Sequence, residues 1–506
     1  MQEAELAHSG DVKEKSVDEQ TVKKESIDSV THKGLKPRVW CFSTYFTEGL
    51  PYSIVRMMSM VFFTDIGMKE RYIGYLNFLG IPWNMKFLWA PLVDIFGKKR
   101  SWLVIIQFLI SIFTAAIAVI CFYADHLSGS EFSTSLLVYI FIALAFLSAT
   151  NDIVIDGYYM EGLADPKDQA AYTGYRVFAY RMSMIAIKFG IIYTVGIVAK
   201  TVTEGNAYHA WGYGFGAAAI VMGLFSVFHF IALPGFENVK KCTPSVKKVF
   251  SDFINSFATY LEISNKRTIV ALTSGFISAI ALFGILLGCK FEMMQALAYA
   301  IIFLLAVLVA QARPVIALSL IFIIFYKIGD EIIFSMGTPF LKRYLLVSNV
   351  QLAWMTGLVG LVGSIAGTTV GGLWIKKKGL KKSIWPLTLL MNINILAYVW
   401  LAWQKPLATT SSGILIIGAV YCYEQIAAGL GNASLIVYIL QTCKKEFKAG
   451  HYAIGSAFMS IFSSVFGGFG GIIVEHMGYT KLFLIGFAAT IPAMLLMFWV
   501  PIKEQK

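Results

Sequence analysis

Asp152 and Asp156 stand four residues apart in an apolar run that begins near Ser135, and Glu161 follows them. Residues four apart share one face of a helix. A helix in lipid carries such acids only if cations neutralise them or if they face a watery route for a substrate or ion. Other apolar runs carry Glu48, Asp330 with Glu331, and Glu424, while Arg56 and Lys86 are further cations at depth. Each such charge costs about 2.5–3.5 kcal/mol on insertion scales.

Two chemistries are open to these groups. The first is ion pairing. Counted inward from an expected turn at Ala164–Tyr172, Glu161 lies level with Arg176 and Asp156 level with Arg181. Asp152 is left near Lys188 in poorer register, and Arg56 or Lys86 could pair with Glu48, hold part of a substrate or snorkel. The second is proton coupling by an unpaired acid, because desolvation disfavours the charged form. Glu48, Asp152, Asp330 and Glu424 are the candidates, with Asp152, deeper and less well matched, the foremost.

No Ser/His/Asp set, zinc-ligand spacing or Walker loop occurs where a catalytic domain could fold, so neither catalysis nor a metal is expected, and no cofactor beyond a proton gradient. The six cysteines are scattered without a C-x-x-C pair and read as free thiols. His229, well inside a span, reads as a satisfied core residue. Gly429, Gly431 and Asn432 lie just beyond Glu424 and shape a cavity wall; with no strand before them they are not a phosphate loop. Gly363, Gly367 and Gly371 recur every four residues, the pattern that lets helices approach closely. Gly467, Gly468, Gly470 and Gly471 thin a later helix.

The elements that must hold these groups are membrane spans. The chain has 506 residues, of which 57 % are hydrophobic and 14 % charged, and its mean hydropathy is +0.68. A core of that size cannot hide so much apolar surface from water, so lipid is the solvent. The net charge of +12 sits in short clusters between apolar runs, which speaks for membrane orientation rather than nucleic acid. Residues 1–36 are polar and expected to form a disordered cytoplasmic tail without the apolar core of a signal peptide.

Six runs of spanning length follow, near 38–62, 72–95, 101–123, 135–163, 173–199 and 210–234. Two short runs lie near 268–288 and 294–312, and six more near 315–341, 351–375, 384–403, 412–440, 451–475 and 481–501. The expected organisation is an all-α polytopic protein of fourteen spans: an N-terminal bundle at 37–235, a cytoplasmic linker at 236–266, two extra helices at 267–313, a C-terminal bundle at 314–501 and a tail at 502–506. The basic loops alternate with loops such as Ala124–Phe132 and Thr201–His209 that hold no Lys or Arg, which places both termini in the cytoplasm. The loop Gly97–Arg100 is echoed by Gly379–Lys382, and at the same offset Glu48 maps to Asp330. Two such halves make a cavity with a binding site near the membrane midplane.

The Asp94–Gly97–Arg100 loop resembles the signature between the second and third helices of the major facilitator superfamily. More specifically, Glu48–Pro51, Lys86–Asp94, Lys99–Trp102, Asp152–Asp156, Tyr180-Arg181, Tyr326–Asp330, Glu424–Gly431, Cys443–Phe447 and Tyr452-Ala453 together resemble the AmpG muropeptide permeases. The likeness covers nearly all of 40–500 apart from about 268–312. It implies a monomeric inner-membrane permease that imports N-acetylglucosaminyl-anhydro-muramyl peptides, driven by the proton gradient, through alternating access. Asp152 and Asp156 match the family's paired acids and Asp330 its later acid. Asn151 stands where the family usually has Gln, Ala179 and Ser183 where it has Gly, and His451 where Gln is common. Arg56, Lys86, Asn151, Asp156, Tyr180, Arg181, Lys327 and Asn432 are the expected substrate contacts. Asp94, Gly97, Arg100, Glu161 and Arg176 are the expected structural or gating residues. The related acetyl-coenzyme A transporters share the acidic motif and make the nearest alternative.

Overall fold

The computed structural model describes residues 35–95, 97–123, 131–163, 165–236, 246–444 and 448–502. The expected tails at 1–36 and 502–506 lie outside the described residues apart from 35, 36 and 502. The described residues are helical and contain no strand. In chain order the helices are α1 (37–65), α2 (70–95), α3 (Lys99–Phe122), α4 (Glu131–Gly162), α5 (166–201), α6 (Ala207–Ala232), α7 (Val246–Leu261), α8 (Asn265–Gly288), α9 (Met293–Gln311), α10 (314–344), α11 (349–378), α12 (Leu380–Gln404), α13 (Ser411–Thr442), α14 (Lys448–Gly468) and α15 (Gly470–Leu496).

Ten of these are long and apolar enough to cross a membrane by length and composition: α3 to α6, α8, α9, α11 to α13 and α15. Ile220, Leu224, Val227 and Ile231 form an exposed stripe along α6, as a lipid-facing helix requires. The expected runs in α1, α2 and α10 are helical but interrupted. A π turn spans Ile54–Met58, 3-10 turns span Leu76–Gly80 and Lys86–Leu88, and α10 is broken at Lys327 and again by a π turn at Phe340–Tyr344.

Local chemistry sets the helix ends. Pro37, Pro166 and Pro314 occupy first-turn positions, where their missing N–H costs nothing. Asn206 and Thr410 accept from the backbone N–H of His209 and Gly413 at 3.1 Å, and Ser348 forms a capping box with Gln351. Gly97 and Gly379, matched in the sequence repeat, both take positive φ (78° and 75°), so each makes a tight reversal that a Cβ would strain. After Gly97, Arg100 Nη2 donates to the Phe230 carbonyl at 2.7 Å, and Lys99 donates to the Val93 carbonyl at 2.8 Å. The loop ties α2, α3 and α6 together.

The segment read as a linker contains α7, an amphipathic helix. Its Phe257, Tyr260 and Leu261 pack with Leu305, Leu308, Ile454 and Phe458, while Lys247 and Lys248 are exposed. Thr259 meets His451 at 3.0 Å, and Glu262 binds Arg313 at 2.9 Å and Lys444 at 3.4 Å. The linker is therefore docked against α9, α10 and α14.

Gly363, Gly367 and Gly371 do pack closely. A methyl on Gly367 would overlap the Ile426 carbonyl of α13, and one on Gly371 would stand 3.0 Å from Ala433 Cβ. Gly372 faces open space. Gly367→Ala should therefore lower stability by about 1–3 kcal/mol through overpacking, whereas Gly372→Ala should be near neutral. Thermal unfolding of the purified proteins in detergent measures the difference.

Candidate functional site

The acids of α1 and α4 sit among cations, in a different register from the one expected. Arg176 Nη2 binds Asp156 Oδ1 at 2.7 Å, and the Tyr45 hydroxyl donates to the same oxygen at 2.7 Å. The guanidinium also lies 4.3 Å and 4.4 Å from the Tyr45 and Tyr159 ring centres, a cation–π arrangement that holds it in place. Asp156 thus pairs with Arg176 and not with Arg181. The cause is the turn: α5 begins at Pro166, well before the expected end of the turn at Tyr172, so every residue of α5 lies deeper. Side chains on a helix lean toward its N-terminus, which brings Arg176 back to Asp156 and leaves Arg181 beyond reach. Glu161 is half-buried at the end of α4.

Asp152, 9 % exposed, binds the Lys86 ammonium and not Lys188. Glu48 lies against Asp152, and its Oε2 is buried without a hydrogen-bond partner among the described residues. Asn151 is fully buried and tied into the packing: its Nδ2 donates to the Thr47 carbonyl at 3.0 Å. Gln107 Nε2 donates to Thr47 Oγ1 at 2.9 Å and approaches Asn151 Oδ1 at 3.4 Å. His229 closes this network, with Nδ1 2.7 Å from Gln107 Oε1 and Nε2 3.0 Å from Ser43 Oγ. The side chain of Asp94 lies outside the described residues.

A cavity of about 370 Å3 lies between the first six and the last six helices. Arg56, Arg181 and Lys188 line it from one side, and Asp330, Tyr398, Tyr421, Glu424 and Asn432 from the other. Asp330 binds Lys327, which also donates to Asn432 Oδ1 at 2.7 Å. Arg56 stands 3.6 Å from Glu331 and donates to the Asn77 carbonyl at 2.9 Å; it does not meet Glu48. Glu424 is 5 % exposed and accepts from Gln425 Nε2 at 2.7 Å. A smaller cavity of about 170 Å3 beside Arg56 is lined by Tyr52, Trp83, Asn84, Lys327, Glu331 and Ser463, among others. Tyr180 packs with its ring 6.2 Å from that of Tyr52.

Lys188, Tyr398 and Tyr421 are wall residues that the sequence reading did not single out as contacts. Lys188 sits in a π turn, Ala186–Ile191, whose wider ring adds a residue and rotates the following face. Helical periodicity alone therefore could not aim it, although a lone lysine in an apolar run was itself a signal. Arg56 sits in a π turn too, as do the wall residues Thr356 and Gly357.

Polar contacts join the two sets of helices at the end of the molecule away from the basic loops. Arg343 Nη2 donates to the Thr64 carbonyl at 2.6 Å, and its Nη1 binds the Met68 carbonyl at 2.7 Å and Glu70 at 2.9 Å. Lys342 binds Asp65 at 2.7 Å, Asn349 donates to Asp65 at 2.7 Å, and Arg71 binds Glu475 at 3.1 Å. The sequence analysis assigned no role to Asp65, Glu70, Arg71, Lys342, Arg343 or Glu475.

A family model described as "Acetyl-coenzyme A transporter 1" matches residues 43–185. "Putative transporter AmpG 4" of Rickettsia conorii is 24 % identical over 464 residues, covering 90 % of this chain and 94 % of that protein. The "Anhydromuropeptide permease" of Escherichia coli is 22 % identical over 464 residues, covering 89 % of this chain and 77 % of that one. The AmpG resemblance carried by the motifs thus extends along about nine-tenths of the chain. Among solved structures, a mutant form of the nucleoside transporter NupG superposes with a TM-score of 0.60 at 13 % identity, over 91 % of this chain and 98 % of that one. An inward-facing bacterial homolog of the human lysosomal transporter Spinster gives 0.58 at 14 % identity, over 92 % and 98 %. The fold is that of the major facilitator transporters.

The Asp156–Arg176 pair is half-buried, so removing one partner leaves the other short of a counter-charge in a poorly solvated place. Asp156→Asn should destabilise the protein, and adding Arg176→Gln should recover part of the loss, with a coupling of about 1 kcal/mol. Pairing Asp156→Asn with Arg181→Gln should give additive losses. Thermal unfolding of the single and double variants reads both cycles.

Proposed function

We propose that the chain is a proton-coupled secondary transporter that imports anhydro-muropeptides by alternating access. The observation that carries this reading is the cavity between the two sets of six helices. It bears ionisable groups on both walls, and interlocked polar contacts join the two sets at one end. The relative named an anhydromuropeptide permease supplies the cargo class. In this reading the chain crosses the inner membrane fourteen times as two six-helix bundles with α8 and α9 between them, and works as a monomer. The basic loops lie in the cytoplasm, so the opposite end is the outer gate.

Coupling falls to the acids that lack a full ionic partner. Asp156, Asp152, Asp330 and Glu331 stand beside Arg176, Lys86, Lys327 and Arg56. Glu48 lies against Asp152, which holds Lys86, so that group of two carboxyls and one ammonium holds a proton without stranding a cation. Glu424 accepts from a neutral amide and can hold a second. Of the four acids expected to couple, these two bear the proton, and Asp152 and Asp330 position it. A cargo of acetyl-coenzyme A is the second reading, favoured by the family match over residues 43–185.

Purified protein in vesicles should accumulate labelled anhydro-muropeptide when an inward proton gradient is imposed and should only equilibrate it without one. Glu424→Gln should reduce gradient-driven accumulation at least tenfold while leaving exchange of internal for external cargo intact. Uptake indifferent to the gradient in the unaltered protein would overturn the coupling.

A further inference from the structure

We propose that Arg181 and Lys188 form a binding site for an anionic group of the cargo, a carboxylate or a phosphate, on the α5 wall of the central cavity. The inference rests on the transporter reading and names what the cavity must recognise.

Both side chains line the cavity, and neither makes an ion pair or hydrogen bond to another described residue. That sets them apart from the other cations at this depth. Arg56, Lys86, Arg176 and Lys327 each hold a carboxylate of their own. A cation withdrawn from water is costly unless an anion faces it. Glu424 lies within electrostatic reach of Lys188 but makes no ion pair with it, so two cations with no carboxylate in contact mark a place where something else supplies the charge. Arg181 and Lys188 are seven residues apart along α5, and both reach the same cavity. The π turn at Ala186–Ile191 carries the second cation and widens the helix there, a feature common at functional sites.

The two residues divide the work. A guanidinium offers a planar fork of N–H groups that fits two oxygens of one anion, and an ammonium adds a compact point charge. On the opposite wall, Glu424 and Asp330 carry the other sign. An anion alone would be repelled there. A cargo with an acidic group at one end and hydroxyl, amide or amino groups at the other matches both walls.

Two anions fit this chemistry, the peptide carboxylates of a muropeptide and the phosphates of coenzyme A, and the test separates them. The full-length protein in detergent is titrated with three probes: an anhydro-muramyl tripeptide, the same tripeptide with its carboxylates amidated, and acetyl-coenzyme A. Binding is read directly, by calorimetry, so that it stands apart from transport. Either the free acid or acetyl-coenzyme A should bind, and the amidated form at least tenfold more weakly than the free acid if the carboxylate is the group held. Lys188→Gln should weaken the anionic probe about tenfold and leave the amidated probe unchanged, and Lys188→Arg should restore most of the loss. The same probes on unaltered protein keep the test open if Lys188→Gln fails to fold. Equal binding of acid and amidated forms together with no binding of acetyl-coenzyme A would overturn the site, as would a Lys188→Gln protein that binds every anionic probe normally. Anion binding without any uptake in vesicles would instead retire the transport reading and leave the site standing.

Discussion

The constraint on which this architecture depends is the cost of a charge in a medium that cannot solvate it. Most of the carboxylates at depth stand beside a cation, and most of those cations come from another helix: Arg176 of α5 for Asp156 of α4, Lys86 of α2 for Asp152 of α4, Arg56 of α1 for Glu331 of α10. Such pairs add little net stability compared with apolar packing, yet breaking one is expensive. Their effect is to fix register. The Asp156–Arg176 pair fixes α4 against α5, and Arg56–Glu331 links α1 to α10 at the level of the cavity.

That constraint explains which parts of the molecule could be read in the sequence. The spans, their caps and the matched reversals at Gly97 and Gly379 follow from local rules, but α5 starts at Pro166 where 173 was expected and α15 at Gly470 where 481 was expected. Asp330 and Glu424 line the central cavity and Glu331 the smaller one, and each interrupts an apolar run of the sequence. The partners were harder. Where two helices meet depends on how soon the second one starts, and Pro166 starts α5 early enough to replace Arg181 with Arg176 opposite Asp156. Lys188 was visible as a lone charge, but a π turn decides its direction, and no periodicity in the chain announces it. Asn151 shows the opposite error: a polar residue beside a functional acid was assigned to the substrate, while its hydrogen bonds are spent on Thr47 and Gln107.

The inserted helices α8 and α9 join this scheme at both ends. In the turn between them, Glu292 accepts from Arg71 at 2.5 Å and from the Tyr75 hydroxyl at 2.7 Å, and Arg71 also binds Glu475. One arginine of α2 is therefore shared between the inserted pair and the start of α15. At the other end, Arg313 beside Glu262 holds that carboxyl below the usual carboxylate range. The contact therefore contributes stability above the ordinary carboxylate range and loses it only as pH falls through the lowered value. The inserted pair is thus fastened to the last six helices at the basic end and to α2 at the opposite end. Any motion that parts α2 from α15 must also part α2 from the insertion.

The unpaired groups then give the proposed cycle its direction. When the paired acids and cations are set aside, Glu48 and Glu424 remain among the acids and Arg181 and Lys188 among the cations. In the proposed cycle, with Glu424 ionised one positive charge of the Arg181 and Lys188 pair stays unbalanced in the cavity, and an arriving anion gains less from the α5 wall. With Glu424 protonated, both cations lack a counter-charge, and an anionic cargo becomes the partner that makes the charged cavity tolerable. In that proposal proton and cargo loading favour each other through one electrostatic balance, without a contact between them. Reciprocity follows from linkage: cargo bound at Arg181 and Lys188 makes Glu424 harder to deprotonate until the cavity opens to a compartment that removes the cargo or the proton.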